Sequence, residues 1–468
     1  MTVKNIDVAK KFSVYGYNVH PEAIEIIKKY QDHSYIDLII KESCKIAKND
    51  FLITKEHVLK AIEEINSKKS REDERKRDEG KQQKEEIEIL KDVTGNSFCE
   101  GKLEDFLQYF RSRYEKIFKV FTERLSATPI GKISRKDSVT VVGIVNDVRE
   151  ISKGFIFEIE DPTGSITCIA IGKAAETAST FLGDEVVAVS GNLRDRSLIV
   201  DRILFPDVPI QNNKVQKNFK IAFISDTHFG SRKFLEKEWK DFVDWINSTE
   251  EIKYLIVAGD IVDGVGIYPN QENELSIISI GEQYEVAAAH FDEINKKIKI
   301  IISTGNHDAV RQAEPQPALP KEFRDFFPKN TLHVGNPSLV SLEGVKVLIY
   351  HGRSLDDVVS KLSLNYDEPQ KAIEELIKRR HLSPKYGEKC PIAPEREDYL
   401  VIEDVPDIIH CGHVHTHGLG FYRGIFMVNS STWQAQTDFQ KKMNLNPKPG
   451  IVTIYRPGGE YYIRSFAL

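Results

Sequence analysis

The chain has 468 residues and a formal net charge of −6, from 65 basic and 71 acidic residues. At ~150 residues per domain this length predicts about three domains, and no apolar run reaches the ~18 residues that a membrane span needs. The first residues, MTVKNIDVAKKF, lack the apolar core of a signal peptide. Five cysteines without CxxC spacing favour a reducing compartment. Composition therefore predicts a cytoplasmic protein and does not indicate a substrate.

Residues 1–66 predict a small helical domain. Pro21 can begin one helix, while Ser34 and Thr54 can cap two more, each with isoleucines on one face. Residues 67–91 then carry basic and acidic side chains in nearly equal number. A nucleic-acid arm would be one-sided in charge, so this segment predicts a flexible, solvated linker. Residues 92–125 predict a connecting helix from Lys102 to Leu125, whose wide apolar stripe, from Leu103 to Phe121, is expected to pack as core.

Residues 126–212 alternate apolar and polar side chains, which predicts strands. Five strand segments are expected, at Val139–Val148, Phe155–Glu160, Ser165–Ile171, Glu185–Leu193 and Leu198–Phe205. A short helix, Lys173–Phe181, separates the third strand from the fourth, an arrangement that resembles an OB-fold β-barrel. Such barrels often stack single-stranded bases on aromatic rings. Only Phe155 and Phe157 offer rings in the second strand, so protein docking is an equally good interpretation.

Residues 213–468 alternate apolar strands with helical segments, the pattern of a layered α/β domain. Five short motifs each follow a predicted strand: Asp226-Thr227-His228, Gly259-Asp260-Ile261-Val262-Asp263, Gly305-Asn306-His307-Asp308, His351-Gly352 and Gly412-His413-Val414-His415. Sites in open α/β sheets gather at the carboxyl ends of the strands. We therefore expect the five motifs to converge.

The residue types in these motifs indicate a two-metal hydrolase. Hydrolysing a phosphodiester requires neutralised phosphoryl oxygens and a nucleophile made from water, and two ions ~3.5–4 Å apart supply both. Mixed oxygen and imidazole ligands favour Mn²⁺, Zn²⁺ or Fe over Mg²⁺ alone. A single His or Asp at a strand end is usually an ordinary hydrogen-bonded residue, but five motifs in order predict a metal site.

The five motifs resemble those of the calcineurin-like metallophosphoesterase superfamily, whose fold is a β-sandwich flanked by helices. The resemblance implies a first metal held by Asp226, His228 and His415, a second held by Asn306, His351 and His413, and Asp260 as the bridge. It also implies that His307 contacts the scissile phosphate and assists the leaving group, with Asp308 orienting His307. Asp263 is expected to be a structural loop carboxylate. His410, His417 and Cys411 are expected to have packing roles.

The order of domains resembles the small subunits of archaeal family-D DNA polymerases, as do the stretches FISDTHFGS, HGRSLDD and STWQAQTDFQ. This resemblance implies a proofreading 3′→5′ exonuclease that forms a heterodimer with a large catalytic subunit and acts on the DNA primer 3′ end. Mn²⁺ is then the expected metal, with Zn²⁺ or Fe as alternatives. Arg353 would lie near the phosphate, although an ion pair with Asp356 or Asp357 explains it equally well. The N-terminal helices could recruit a sliding clamp or another replication factor.

Two alternatives remain. A catalytically silent structural subunit is one, as in related eukaryotic subunits with degraded ligands, but this chain keeps every ligand position. A stand-alone nucleotidase or phosphodiesterase is the other, and such an enzyme has little use for a barrel and tethered helices. A protein phosphatase is disfavoured because Gly264-Val265 stands where those enzymes carry Arg-Gly. The insert at residues 352–405 could be a cap over the site or helical packing.

Overall fold

The computed structural model describes residues 8–15, 17–29, 33–47, 50, 52–62, 86–134, 138–211, 216–442 and 444–467. The chain divides into two compact units, Met1–Glu86 and Ile87–Leu468. Residues 67–85 of the predicted linker lie outside the described residues. Within the described ranges, no helix has both the length and the apolar character that crossing a bilayer requires.

The N-terminal unit consists mainly of helices. Its elements are α1 (Val8–Val14), β1 (Asn18–Val19), α2 (Pro21–Ile27), α3 (His33–Ile46), β2 (Leu52–Ile53) and α4 (residues 55–62). Pro21 begins α2 as predicted, whereas α1 and the short parallel pair of β1 with β2 were not predicted. The side chain of Ser34 is outside the described residues. Phe12, Ile27 and Ile39 are fully buried in one core.

The linker prediction is wrong at its C-terminal end. Residues Ile87–Asp92 form β3, which pairs antiparallel with β13 (Ser338–Leu342) at the edge of a sheet. Asp92 Oδ2 also accepts a hydrogen bond of 3.0 Å from the backbone N–H of Gly335. The charged local sequence conceals this strand because its hydrogen-bonding partner lies far along the chain.

The predicted connecting helix is α5 (Leu103–Thr122). Tyr114, Ile117 and Phe121 pack against the barrel strands. The expectation that the whole stripe is core is wrong for Leu103 and Leu107, which are 71% and 65% exposed. These two side chains lie on the first turns of α5, before the residues that pack on the barrel.

Five strands form a closed barrel in the order β4-β5-β6-β8-β7. The elements are β4 (Val139–Ile151), β5 (Gly154–Asp161), β6 (Gly164–Ile171), α6 (Lys173–Ala178), β7 (Val186–Arg194) and β8 (Ser197–Leu204). Phe157 points into the barrel core and is fully buried, next to Phe181. Its ring is therefore not available for stacking on a base.

The remaining strands form two six-stranded sheets, ordered β12-β11-β10-β9-β18-β19 and β16-β17-β15-β14-β13-β3. The first contains β9 (Lys220–Ile224), β10 (Ile252–Ala258), β11 (Lys299–Ser303), β12 (Thr331–His333), β18 (Ile451–Tyr455) and β19 (Tyr461–Ser465). The second adds β14 (Val345–Ile349), β15 (Ile408–Cys411), β16 (Gly418–Tyr422) and β17 (Ile425–Asn429). Phe223, Ile256 and Val347 belong to one hydrophobic core between the sheets.

Helices cover the outer faces of this sandwich. They are α7 (Glu236–Ser248), α8 (Ile280–Asp292) and α9 (Lys321–Arg324) on the first sheet, and α10 (Leu355–Leu362) and α11 (Pro369–Arg379) on the second, with α12 (Asp438–Lys442) near the C-terminus. Strands β9, β10 and β11 are mutually parallel, as are β14 and β15. Their carboxyl ends, where all five motifs begin, therefore lie at one edge of the sandwich.

Candidate metal centre

The five motifs converge as predicted. Three sets of side chains each hold their ligand atoms within 4.8 Å of one another: Asp226 with His228 and His415, Asp260 with His351 and His413, and His228 with Asp263 and His307. Asn306 joins the second set, since its Oδ1 lies 3.1 Å from His351 Nε2. Every side chain that the sequence proposed as a ligand is thus brought to one place.

Asp260 lies between the two proposed ligand sets. Its Oδ2 is 3.3 Å from His351 Nε2 and 4.0 Å from His228 Nε2. The other oxygen, Oδ1, accepts a hydrogen bond of 2.8 Å from the backbone N–H of His307. This central position is the one that a bridging carboxylate requires.

The backbone is strained where the ligands stand. Five of them have left-handed conformations: Asp226 (φ 52°), His228 (47°), Asp260 (51°), His413 (70°) and His415 (55°). Residues other than glycine rarely adopt positive φ, which costs on the order of 1–3 kcal/mol each. Such strain persists only where surrounding structure over-determines it, and it clusters at functional sites.

The carboxylates of the site keep their charge although they are buried. Burial opposes ionisation of Asp226 and Asp260, but neighbouring imidazoles, His415 and His351 among them, hold the pKa of both carboxyls below the ordinary value. Burial likewise opposes the charge of His228, yet Asp226 and Asp263 raise its pKa to about 10. Without a metal, imidazolium groups therefore supply the positive charge that these carboxylates need.

The residues present fit divalent ions. Asp226 Oδ1 is buried and receives no hydrogen bond from the described chain, while it lies 3.3 Å from His415 Nε2 and 3.8 Å from His228 Nε2. An unpaired buried acceptor is costly, and a cation placed among these three atoms would satisfy it. The combination of carboxylate, amide oxygen and imidazole suits Mn²⁺, Zn²⁺ or Fe.

His307 stands beside the ligands with a fixed ring. Its Nδ1 lies 2.6 Å from the carbonyl oxygen of Asp263, so Nδ1 carries the proton and donates it. Its Nε2 then faces Asp260 Oδ2 at 4.0 Å. The prediction that Asp308 orients His307 is wrong. Asp308 accepts hydrogen bonds from the backbone N–H of Gly305 (2.8 Å) and from Tyr284 Oη (3.0 Å), and so secures the loop instead.

Arg353 takes neither of its two predicted partners among the described residues. Its Nη1 donates to the carbonyl oxygen and to Oε1 of Gln312, both at 3.1 Å. Gln312 in turn donates to the carbonyl oxygen of Asn306 at 2.5 Å. Arg353 therefore supports the loop that carries Asn306, while Asp356 contacts His413, with Oδ2 3.1 Å from Nε2.

Sequence reasoning missed several supporting residues. Gln434 donates to Asp263 Oδ1 at 2.9 Å, and Asp263 Oδ1 lies 3.0 Å from His228 Nδ1. Gln440 Nε2 lies 2.8 Å from His415 Nδ1. Both glutamines belong to the stretch STWQAQTDFQ, and Asp356 belongs to HGRSLDD. These stretches had been noted for their resemblance alone, because no spacing rule links them to the ligands.

Comparison with known proteins agrees with the fold and the site. Residues 219–417 match the family model described as calcineurin-like phosphoesterase. Fold and site thus define a metallophosphoesterase domain, a class that implies divalent metal ions.

The chain belongs to the family of archaeal DNA polymerase II small subunits. The protein of that name from Archaeoglobus fulgidus is 56% identical, with 98% of each chain covered. The relative from Methanocaldococcus jannaschii is 44% identical, over 79% of this chain and 66% of that protein. The relative from Methanothermobacter thermautotrophicus is 42% identical, over 80% and 82% respectively.

Proposed function

We propose that this chain is a metal-dependent 3′→5′ exodeoxyribonuclease that proofreads for a large catalytic polymerase subunit. The observation that carries the proposal is the convergence of two ligand sets on Asp260, with Asp226 Oδ1 buried and without a hydrogen bond. A purely structural subunit would have no use for these strained, buried charges, which cost stability.

Asp226, His228 and His415 would hold one ion, Asn306, His351 and His413 the other, and Asp260 would contact both. When bound, two divalent ions supply charge neutralisation for the phosphoryl oxygens and a nucleophile from water at neutral pH. Mn²⁺ is the metal we propose, with Zn²⁺ or Fe as alternatives.

His307 would contact the scissile phosphate and, with Nε2 protonated in the substrate complex, donate that proton to the leaving 3′ oxygen and take one back from water afterwards. The bond from Nδ1 to the Asp263 carbonyl fixes the ring, so Nε2 is the atom available for that exchange. Burial lowers the pKa of His307, so the negative charge of a bound phosphate would be needed to keep the imidazole protonated. Asp308 and Arg353 would act only through the loop they support.

The other parts of the chain would serve assembly. The barrel order β4-β5-β6-β8-β7, with α6 between β6 and β7, supports an OB-fold. Its buried Phe157 favours docking of the large subunit over base stacking. Residues 8–62 would form a helical domain that recruits another replication factor, such as a sliding clamp.

The test is Mn²⁺-dependent degradation of a 3′-mismatched primer by the full chain, alone and with the large subunit. His307→Ala and Asp260→Asn are each expected to lower mononucleotide release at least 100-fold, because general acid–base catalysis alone contributes ~10²–10⁴-fold. An exposed substitution, Leu107→Ala, serves as the control. If wild type releases no mononucleotide even with the large subunit, the silent structural subunit becomes the better interpretation.

A further inference from the structure

The cavity over the candidate metal centre has a mixed lining. Its volume is about 160 Å³. Ionisable groups of the centre contribute to this lining, including His228, Asp260, His307, His413 and His415. Four apolar or aromatic side chains also line the cavity, and we call them the apolar wall: Tyr366, Val414, Leu445 and Pro447.

The apolar wall is held in place before any ligand binds. Tyr366 Oη donates to Asp356 Oδ1 at 2.9 Å, and the Tyr366 carbonyl accepts from Thr416 Oγ1 at 2.6 Å. Leu445 is bound at both backbone groups, with N–H donating to Gln440 (2.9 Å) and carbonyl accepting from Gln436 (2.7 Å). All four wall side chains are half-buried, so each keeps a face open to the cavity.

We infer that the apolar wall binds the sugar and base of the terminal nucleotide, which places its 5′-phosphate at the metal centre. This inference rests on the proposed function. An aromatic ring beside aliphatic side chains suits a nucleoside, since bases of any sequence stack on aromatic side chains. The hydroxyl of Tyr366 already donates its hydrogen to Asp356, so the apolar wall offers no hydrogen-bond donor that would distinguish one base from another. Such a wall tolerates all four bases, which removal of any misincorporated nucleotide requires.

The cavity also limits the form of the substrate. Its volume of about 160 Å³ lies below the ~300–1,000 Å³ of ordinary ligand pockets. We expect the wall to contact one unpaired nucleotide, because a base pair would need more space than this cavity offers. No lysine or arginine lines the cavity within the described ranges. The apolar wall and the metal centre must therefore provide the local affinity for a primer 3′ end that is no longer base-paired.

Two small substrates that share a leaving group test the wall directly. Thymidine 5′-(p-nitrophenyl phosphate) retains a nucleoside on the phosphorus, whereas methyl p-nitrophenyl phosphate retains only a methyl group. The readout is the ratio of kcat/KM for the two substrates, with Mn²⁺ and the full chain in its complex. Leu445→Ala and Tyr366→Leu are expected to lower this ratio about tenfold, the scale of a lost apolar contact in a pocket.

One further variant distinguishes the role of the apolar wall from the role of Tyr366 in holding Asp356 against His413, and another serves as the control. Tyr366→Phe removes the bond to Asp356 but keeps the ring, so it is expected to keep the ratio while slowing both substrates. Leu103→Ala, at an exposed leucine of α5, is the matched control for Leu445→Ala and is expected to change neither rate.

If the kcat/KM ratio is unchanged in Leu445→Ala and Tyr366→Leu while both substrates are still hydrolysed, the nucleoside-binding role of the apolar wall is wrong. The proposed function is then unaffected. Failure of wild type to hydrolyse either substrate or a primer end would overturn both proposals.

Discussion

Asp356 shows how one carboxylate can define the chemistry of a ligand. Its Oδ2 lies 3.1 Å from His413 Nε2, so Nε2 carries the proton and Nδ1 presents a lone pair. Burial opposes ionisation of Asp356, but the bond from His413 lowers its pKa below the ordinary value. An ionised partner of this kind orients a ligating imidazole and raises its basicity.

Asp356→Asn is therefore expected to weaken Mn²⁺ binding by ~10–100-fold, the usual effect of removing such a partner. The measurement is a calorimetric Mn²⁺ titration of the folded chain. Asp357→Asn is the matched control, because Asp357 accepts from the backbone N–H groups of Lys389 and Cys390 and does not contact His413. Equal weakening in both variants would contradict the role given to Asp356.

At the scale of elements, the loops after the parallel strands must approach one another very closely. Gly305, after β11, leaves no room for a side chain: an added Cβ would lie 2.2 Å from Asp260 Oδ1 and 2.6 Å from the Asp260 backbone nitrogen. Gly412, after β15, is limited in the same way by Asp226 Oδ2 at 2.4 Å. These glycines let two strand ends bring their carboxylates and imidazoles together.

Gly305→Ala is expected to lower the free energy of unfolding by ~1–3 kcal/mol, as overpacking does, and to abolish high-affinity Mn²⁺ binding. Urea denaturation and metal titration measure the two effects. Gly281→Ala in α8 is the control, since an added Cβ there meets only Ser279 Oγ at 3.9 Å. In a helix that change is expected to stabilise by ~0.5–1 kcal/mol. A Gly305→Ala protein that still binds Mn²⁺ normally would refute the close-approach argument.

At the scale of the whole molecule, one buried ion pair and its hydrogen bonds join the barrel, α5 and the insert of the phosphoesterase domain. Arg113 Nε donates to Asp398 Oδ2 at 2.9 Å, and neither side chain is exposed. Arg113 also donates to the carbonyl oxygen of Asp184, in the barrel, at 2.9 Å. His381 Nε2 reaches the same Asp398 oxygen at 2.8 Å. The insert is thus helical packing that also lines the cavity through Asp356 and Tyr366.

Acid is expected to destabilise this assembly. Burial lowers the pKa of His381 and His417 to about 4 and of His333 and His410 to about 3, against ~6.5 for a free imidazole. Between pH ~6.5 and 4 these histidines become protonated in the unfolded chain but stay neutral in the folded chain. The free energy of unfolding therefore falls as pH falls. Urea denaturation at pH 7 and pH 4.5 measures the difference.

His381→Gln is expected to lose less free energy of unfolding between pH 7 and pH 4.5 than wild type, because the variant lacks one histidine that becomes protonated only after unfolding. Leu103→Ala, at an exposed residue of α5, should leave the difference unchanged. If acidification has no effect on wild type, the buried histidines do not control its stability.

The sequence by itself determined where the candidate metal centre forms and which residue types it contains. The five motifs follow strands β9, β10, β11, β14 and β15, and their ligand types already indicate two metals. Local patterns suffice here because a strand's apolar run and the polar residue that ends it are neighbours in the chain. The same reasoning predicted the five barrel strands and α5, whose periodicity is local.

Only the tertiary structure decided what supports that centre. β3 is a strand because β13 pairs with it. Leu103 and Leu107 are exposed although Phe106 between them contacts Tyr386, and His307 is held by Asp263 rather than by its neighbour Asp308. Gln440 and Asp356 contact proposed ligands, His415 and His413, that lie far away in sequence. Hydrogen bonds of this kind depend on distances that only the folded chain creates, and no spacing along one segment records them.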